Sequence, residues 1–222
     1  MPVITPPKYE ERVIFLGTNG SGKSELAKQL IVKYPRTVSI DLKGDFNPPF
    51  QKYSVITKPD DLRWRTKQNG HIIYRPERQY RNERDLEDVM YSLFQRAQQN
   101  AKRPKEKQKK FILYVDEGLL MAKLNAVREM ANHAVAGRSL GVGLWVTSQR
   151  PRWIPVETRS EAWRQYIFYL QYEEDRKETI KISGGKITEE DMDSLGDFSF
   201  FEIARTPGGR QSITHYPPIA VV

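Results

Sequence analysis

Short apolar runs and amphipathic stretches succeed one another along the chain from residue 12 onward. Arg12-Val-Ile-Phe-Leu16 has the pattern of a buried strand, ends in a glycine-rich turn, and is followed by Leu26, Leu30 and Ile31 at helical spacing. Strand patterns recur at residues 37–40, ending at Asp41, and at 53–57 and 71–74. Between residues 83 and 100, Leu86, Val89, Met90, Leu93, Phe94 and Ala97 fall on one helical face with charge on the other. A buried-type strand at 111–115, a helix at 127–136 and an apolar strand at 143–147 come next. After Pro151 the pattern predicts a strand at 166–170, a helix at 173–182 and a strand at 198–204, with the last residues finishing the same sheet. Alternation of this kind predicts an α/β fold with a mainly parallel central sheet flanked by helices.

Composition narrows the class. A chain of 222 residues is long enough for one full core, so a single domain is expected. The 36 Lys and Arg against 28 Asp and Glu leave a net charge of +8, which favours polyanionic partners. The chain has no Cys, which excludes a disulfide framework, a thiolate zinc site and a cysteine nucleophile, and its three scattered His give no basis for a metal cluster. No stretch approaches the roughly 18 apolar residues of a membrane span, and the first residues lack a signal-peptide core. A soluble, intracellular protein without stable membrane insertion is the expectation.

Gly17-Thr-Asn-Gly-Ser-Gly-Lys-Ser24 matches G-x-x-x-x-G-K-[ST] at every fixed position, between a strand and a helix. The loop Gly17, Thr18, Asn19, Gly20, Ser21, Gly22, with Lys23, Ser24 and Glu25 opening the helix, is therefore the candidate ATP site. Its backbone N–H groups and the helix N-terminus face the phosphates, and Lys23 reaches the β- and γ-phosphates. Ser24 is the first candidate Mg²⁺ ligand. The G-x-G-x-x-G spacing of a dinucleotide fold is absent, because Gly20 and Gly22 lead into Lys23, Ser24 and Glu25.

The strand at 111–115 delivers Asp116-Glu117 to one point. Asp116 is the second candidate for holding Mg²⁺, and Glu117 is the candidate for activating the attacking water, since phosphoryl transfer depends on positioning and charge. The strand ending at Thr147 leads to Ser148-Gln149, which makes Gln149 a candidate sensor of the γ-phosphate. Paired acids favour hydrolysis over a small-molecule kinase.

Taken with the phosphate loop, Asp41-Leu-Lys-Gly-Asp-Phe46, Tyr114-Val-Asp-Glu117, and Gly137-Arg-Ser-Leu-Gly-Val-Gly143 followed by Val146-Thr-Ser-Gln-Arg-Pro151 resemble the FtsK/HerA superfamily of DNA-pumping ATPases. The resemblance spans residues 11–205, with 1–10 as an N-terminal extension and 206–222 as a tail. It continues through Arg164-Gln-Tyr-Ile-Phe-Tyr169, Asp175-Arg-Lys-Glu-Thr-Ile180 and the turn Leu195-Gly-Asp-Phe198. Ile182-Ser-Gly-Gly-Lys186 lies on the wrong side of the acidic strand for a transporter signature and reads as a turn.

The resemblance implies a RecA-like P-loop NTPase core that works as a homo-oligomeric ring, commonly a hexamer, with ATP at subunit interfaces and double-stranded DNA in the channel. The minimal build resembles the genome-packaging ATPases of membrane-containing icosahedral viruses. That implies a place in the host cytoplasm or on the virion, and capsid or inner-membrane vertex proteins as partners. A cellular or plasmid DNA translocase is the second reading, and a nucleotide-dependent assembly switch the rival from another class. A ring of this type needs an arginine in trans, for which Arg138 is the candidate and Arg150, Arg159 and Arg164 are rivals. DNA contact falls to the loop carrying Lys102, Arg103, Lys105, Lys107, Lys109 and Lys110, and next to residues 63–84 with Trp64, Tyr74 and Tyr80.

Overall fold

A computed structural model describes residues 4–65, 70–206 and 208–220, with the side chains of 63–65 outside the description. Nine strands form one sheet in the order β3-β4-β2-β5-β6-β1-β7-β8-β9. They are β1 (Val13–Leu16), β2 (Thr37–Asp41), β3 (Tyr53–Ile56), β4 (His71–Tyr74), β5 (Phe111–Asp116), β6 (Val142–Ser148), β7 (Arg164–Ile167), β8 (Phe200–Arg205) and β9 (Gln211–Tyr216). The first seven in spatial order are parallel, from β3 across to β7, and β8 and β9 close the edge antiparallel. Residues 211–216 thus add a strand beyond the predicted core boundary at 205.

The α-helices are α1 (Lys23–Ile31), α2 (Pro59–Arg65), α3 (Glu83–Ala101), α4 (Gly118–Lys123), α5 (Arg128–Ala136), α6 (Val156–Ser160), α7 (Glu173–Ile182) and α8 (Glu189–Asp193). None among the described residues is long and apolar enough to cross a membrane. Period-two alternation explains why both sheet faces are covered. In β1, Ile14 and Leu16 join a core shared with Leu86, Val89 and Met90 of α3, whereas Val13 and Phe15 join the opposite core with Leu26 and Leu30 of α1. Burying each such side chain is worth ~1.5–3 kcal/mol, so β1 is clamped from both sides.

Helix α3 starts where the sequence supplies a cap: the Asn82 side chain accepts a hydrogen bond from Asp85 N at 3.0 Å, and Glu83 and Asp85 suit the positive end of the helix. The predicted strand at 166–170 is observed two residues earlier, as β7. Arg164 opens it half-buried, with ion pairs to Glu11 and Glu202 that an apolar pattern cannot register. Tyr74, grouped with the second basic stretch in the sequence, is fully buried in β4 and cannot meet DNA.

Candidate nucleotide site

Parallel strands bring their C-terminal ends to one edge, and the site lies there. Strand β6 runs between β1 and β5, so the end of β6 is inserted between the phosphate loop and the acidic pair. This order places three sequence-distant segments around one point.

The phosphate loop joins β1 to α1. Gly22 has φ 102°, a left-handed conformation that L side chains rarely adopt. At Gly17 a Cβ would lie 2.5 Å from Ser21 Oγ and 2.7 Å from Phe168 Cβ, so the backbone packs where no side chain fits. Thr18 N donates to Tyr169 O at 2.9 Å, which ties the loop to the segment after β7. Lys23 Nζ donates to Thr18 O at 3.0 Å, and burial pushes its pKa down despite the nearby Glu117 and Asp116. Ser21 Oγ is buried without a hydrogen-bond partner. Glu25 lies in the first turn of α1 and faces Lys28 at 3.9 Å.

Asp116 is held from three directions. Its Oδ1 accepts from Tyr114 OH at 2.7 Å, Thr147 Oγ1 at 3.1 Å and Ser24 Oγ at 3.3 Å. Burial pushes its pKa up, against those hydroxyl donors. Ser24 and Asp116 thus meet directly, and carboxylate oxygens of Asp41 and Asp45 lie within 4.8 Å of one from Asp116. An all-oxygen donor set suits a hard cation. The orphaned Ser21 hydroxyl and the side-chain-free cradle at Gly17 suit a phosphate group beside it. Both Mg²⁺ and ATP therefore fit the residues present.

Glu117 has φ 69°, a left-handed conformation that is uncommon for a side-chain-bearing residue and costs of order 1–3 kcal/mol. Its N–H donates to Thr147 Oγ1 at 2.9 Å, which fixes the turn. The buried carboxylate accepts from Lys43 Nζ and Gln149 Nε2, each at 3.0 Å on Oε2. Gln149 Nε2 also lies 3.2 Å from Asn19 Oδ1, so one amide joins the phosphate loop to Glu117.

Lys43 received no role from the sequence. The turn that presents it is built by Asp41, whose fully buried carboxylate accepts from Gly44 N at 2.7 Å, Phe46 N at 3.1 Å and Arg75 Nε at 2.6 Å. Phe46 then anchors the turn against Tyr114, with ring centroids 4.5 Å apart. The Asp-x-Lys spacing was the available signal: an acid that folds the turn, followed two residues later by the cation it aims.

Arg138 stands apart from this cluster. It is exposed in the turn before β6, at the N-terminal edge of the sheet, with its guanidinium 4.8 Å from the Trp163 ring. The rival arginines are engaged within the chain: Arg150 with Asp175 and Glu174, Arg159 with Glu178, and Arg164 with Glu11 and Glu202. The basic loop is also distant from the phosphate loop, at the start of β5. Lys102 caps α3, Lys105 and Lys107 lie in an exposed 3₁₀ turn, Lys110 pairs with Glu10 at 3.3 Å, and Arg103 and Lys109 line a cavity.

No family model matches the chain, and no curated protein matches it by sequence. Solved structures do match it. The genome-packaging NTPase B204 of Sulfolobus turreted icosahedral virus 2, in complex with ATP-gammaS, superposes with a TM-score of 0.73 at 17% identity, over 96% of this chain and 100% of that one. B204 of Sulfolobus turreted icosahedral virus, a DNA-packaging ATPase, gives 0.71 at 18% identity over 98% and 100%. The bacterial conjugative coupling protein TrwB gives 0.67 at 11% identity over 95% and 85%. The fold is accordingly a RecA-like P-loop NTPase core with a mainly parallel sheet, shared with these packaging ATPases and with TrwB.

Proposed function

We propose that this protein is an Mg-ATP-hydrolysing DNA translocase whose task is packaging double-stranded DNA into a viral capsid. The observation that carries the reading is the meeting of Ser24, Asp116, Glu117 and Gln149 at one sheet edge. The fold shared with packaging ATPases over nearly the whole chain supports the specific task.

In this mechanism the loop from Gly17 to Gly22 wraps the triphosphate with backbone N–H groups, and Lys23 leaves the Thr18 carbonyl for the β- and γ-phosphates. Ser24 and Asp116 would hold Mg²⁺, which when bound offsets the negative charge of the phosphates. Glu117 orients the attacking water and takes its proton on a carboxylate oxygen. Release of Oε2, which carries two donors in the free protein, would raise its basicity toward that proton. Gln149 is placed to couple this release to the phosphate loop through Asn19. Arg138, at the far edge of the sheet, acts only on a neighbouring subunit's nucleotide, which fits a homo-oligomeric ring, taken here as a hexamer. Capsid or vertex proteins would receive the ring in the host cytoplasm or on the virion, and the basic loop from Lys102 to Lys110 is its candidate DNA contact.

Replacing Lys43 by Met leaves Gln149 as the one side-chain donor to Glu117 among the contacts described. The free protein should lose about 1–2 kcal/mol of stability, a discounted value for a buried ion pair because Lys43 is about one-third exposed. In a Glu117→Gln background the same substitution should cost clearly less, because only a hydrogen bond to the amide oxygen is lost and no charge pair. Thermal melts of the four proteins would show this as coupling, and additive losses would mean that Lys43 does not restrain Glu117.

Steady-state ATP hydrolysis with and without duplex DNA, with Lys23→Ala as the blank, tests the reading. Strong DNA stimulation is expected. Hydrolysis indifferent to DNA at every salt and protein concentration would leave an assembly switch instead.

A further inference from the structure

The sheet order separates the two ends of a bound nucleotide. Strands β5 and β6, which bring Asp116, Glu117 and Gln149, lie on one side of β1, and β7, β8 and β9 lie on the other. The γ-phosphate end belongs to the first side, so the ribose and base leave the start of α1 toward the second. There the backbone of Gly22 is bordered by two half-buried apolar side chains from separate segments, Phe198 before β8 and Ile219 after β9. A Cβ on Gly22 would lie 3.0 Å from Phe198 Cδ1, 3.3 Å from Phe168 Cε1 and 3.6 Å from Ile219 Cδ1. Phe168 and Phe200 behind them are fully buried, whereas Phe198 and Ile219 keep part of their surface open. Neither side chain belongs to the hydrolytic cluster.

Both segments are held in place. Phe198 has φ 60°, a left-handed backbone that is uncommon for a residue with a side chain and that concentrates at ligand clamps. Ser199 closes the turn beside it, its N and Oγ donating to Gly196 O at 3.1 Å and 2.7 Å. Ile219 N donates to Phe198 O at 3.2 Å and joins the C-terminal tail to that turn. Gln29 Nε2 on α1 donates to Ala220 O. Gly22, Glu25 and Gln29 follow one another at helical spacing, so the tail runs along the face of α1 that begins at the phosphate loop. Tyr216 anchors the tail from behind by stacking on Phe200, with ring centroids 4.9 Å apart.

A base is a flat ring with two apolar faces, and aromatic side chains bind it by stacking. We propose that Phe198 and Ile219 form the seat for the base of the bound nucleotide, Phe198 as the aromatic surface and Ile219 as the aliphatic one. The C-terminal tail is thereby part of the nucleotide site. The seat adds affinity for a nucleotide over a bare phosphate chain and takes no part in cleavage. This inference rests on the nucleotide reading of the phosphate loop and supplies that site with its base end.

The test titrates full-length wild-type, Phe198→Ala and Ile219→Ala proteins with Mg-ADP and with Mg-pyrophosphate by calorimetry. Phe198→Ala should lose about 10-fold in ADP affinity, within the range for removing a stacked aromatic side chain, and Ile219→Ala should lose affinity in the same direction. Pyrophosphate affinity should be unchanged in both. Phe198→Trp, which keeps a flat ring, should restore ADP binding, and ADP but not pyrophosphate should quench the new indole emission. Equal losses for ADP and pyrophosphate would make these residues supports of the phosphate loop, and unchanged ADP affinity would place the base elsewhere; either result overturns the proposal. Should Phe198→Ala melt early, Ile219→Ala and Phe198→Trp decide under the same criteria. If wild-type protein binds ADP no better than pyrophosphate, the base seat alone fails; if it binds neither, the nucleotide reading fails with it.

Discussion

Replacing Glu117 by Gln is expected to lower steady-state ATP hydrolysis by about 100- to 10,000-fold, the range for a positioned general base, while leaving nucleotide binding within a few-fold of wild type. Glutamine has the shape of the carboxylate and keeps an oxygen that can accept from Lys43 and Gln149, so the turn at the end of β5 should persist. The weaker contact from Gln149 N to Oε1, at 3.4 Å, is the one the amide nitrogen cannot replace. What disappears is the group that takes the proton from water. Binding of a fluorescent ATP analogue beside a phosphate-release assay checks both halves. Hydrolysis near the wild-type rate would remove Glu117 from the chemistry, and loss of binding along with turnover would make it a scaffold residue.

The second large effect is on stability at acid pH. His133 on α5 is fully buried beneath α3, with Nε2 3.1 Å from Met90 O and the Phe94 ring edge-on at 5.2 Å. A carbonyl only accepts, so Nε2 carries the proton of the neutral ring, and Nδ1 is left buried without a partner. Burial pushes the pKa down to about 4, with the Met90 contact opposing it. The unfolded chain titrates near 6.5, so between about 6.5 and 4 the unfolded state binds more protons. The neutral ring therefore contributes fully above about 6.5, and the contribution is lost as pH falls toward 4. A shift of this size corresponds to roughly 3 kcal/mol. Subtracting the stability profile of His133→Gln, which keeps a donor for Met90 O and does not titrate, isolates it from the carboxylates. Parallel profiles from pH 7 to 4 would show that His133 does not bear this load.

The features legible in the sequence are those that a local pattern creates. The phosphate loop is contiguous, and its flanking strand and helix follow from periods of two and of 3.6 residues. Helix α3 spans 19 residues and has an Asn cap, so its extent differs from the sequence reading by one residue. Short helices such as α2, α4 and α6 have too few turns to show a periodicity, and packing decides them. Strand β7 was displaced by the ion pairs of Arg164, since a buried charge reads as exposed until its partners, from residues 11 and 202, are known. Lys43 escaped for the same reason. A lysine after a strand is ordinarily solvated, and its aim depends on Asp41 and Arg75, 34 residues apart, folding the turn beneath it. The basic loop had the right composition, but only the contacts of Asn100 with Lys109 and of Gln108 with Ala101 reveal how it folds against α3 and which of its cations line the cavity there.

The insertion of β6 beside β1 also governs the order of events during synthesis. Strand β1 is made before both of its neighbours, β6 and β7, from residues 142–148 and 164–167. Val13, Ile14, Phe15 and Leu16 therefore wait, apolar and without their native neighbours, while residues 17–141 are translated. Such long-range closure slows folding and lengthens exposure to wrong partners. A ribosome-bound fragment ending before Val142 would hold a complete phosphate-loop sequence on a strand with neither neighbour, and hence no ordered cradle for ATP. Nucleotide binding by nascent chains of increasing length should therefore switch on late, near the emergence of β7.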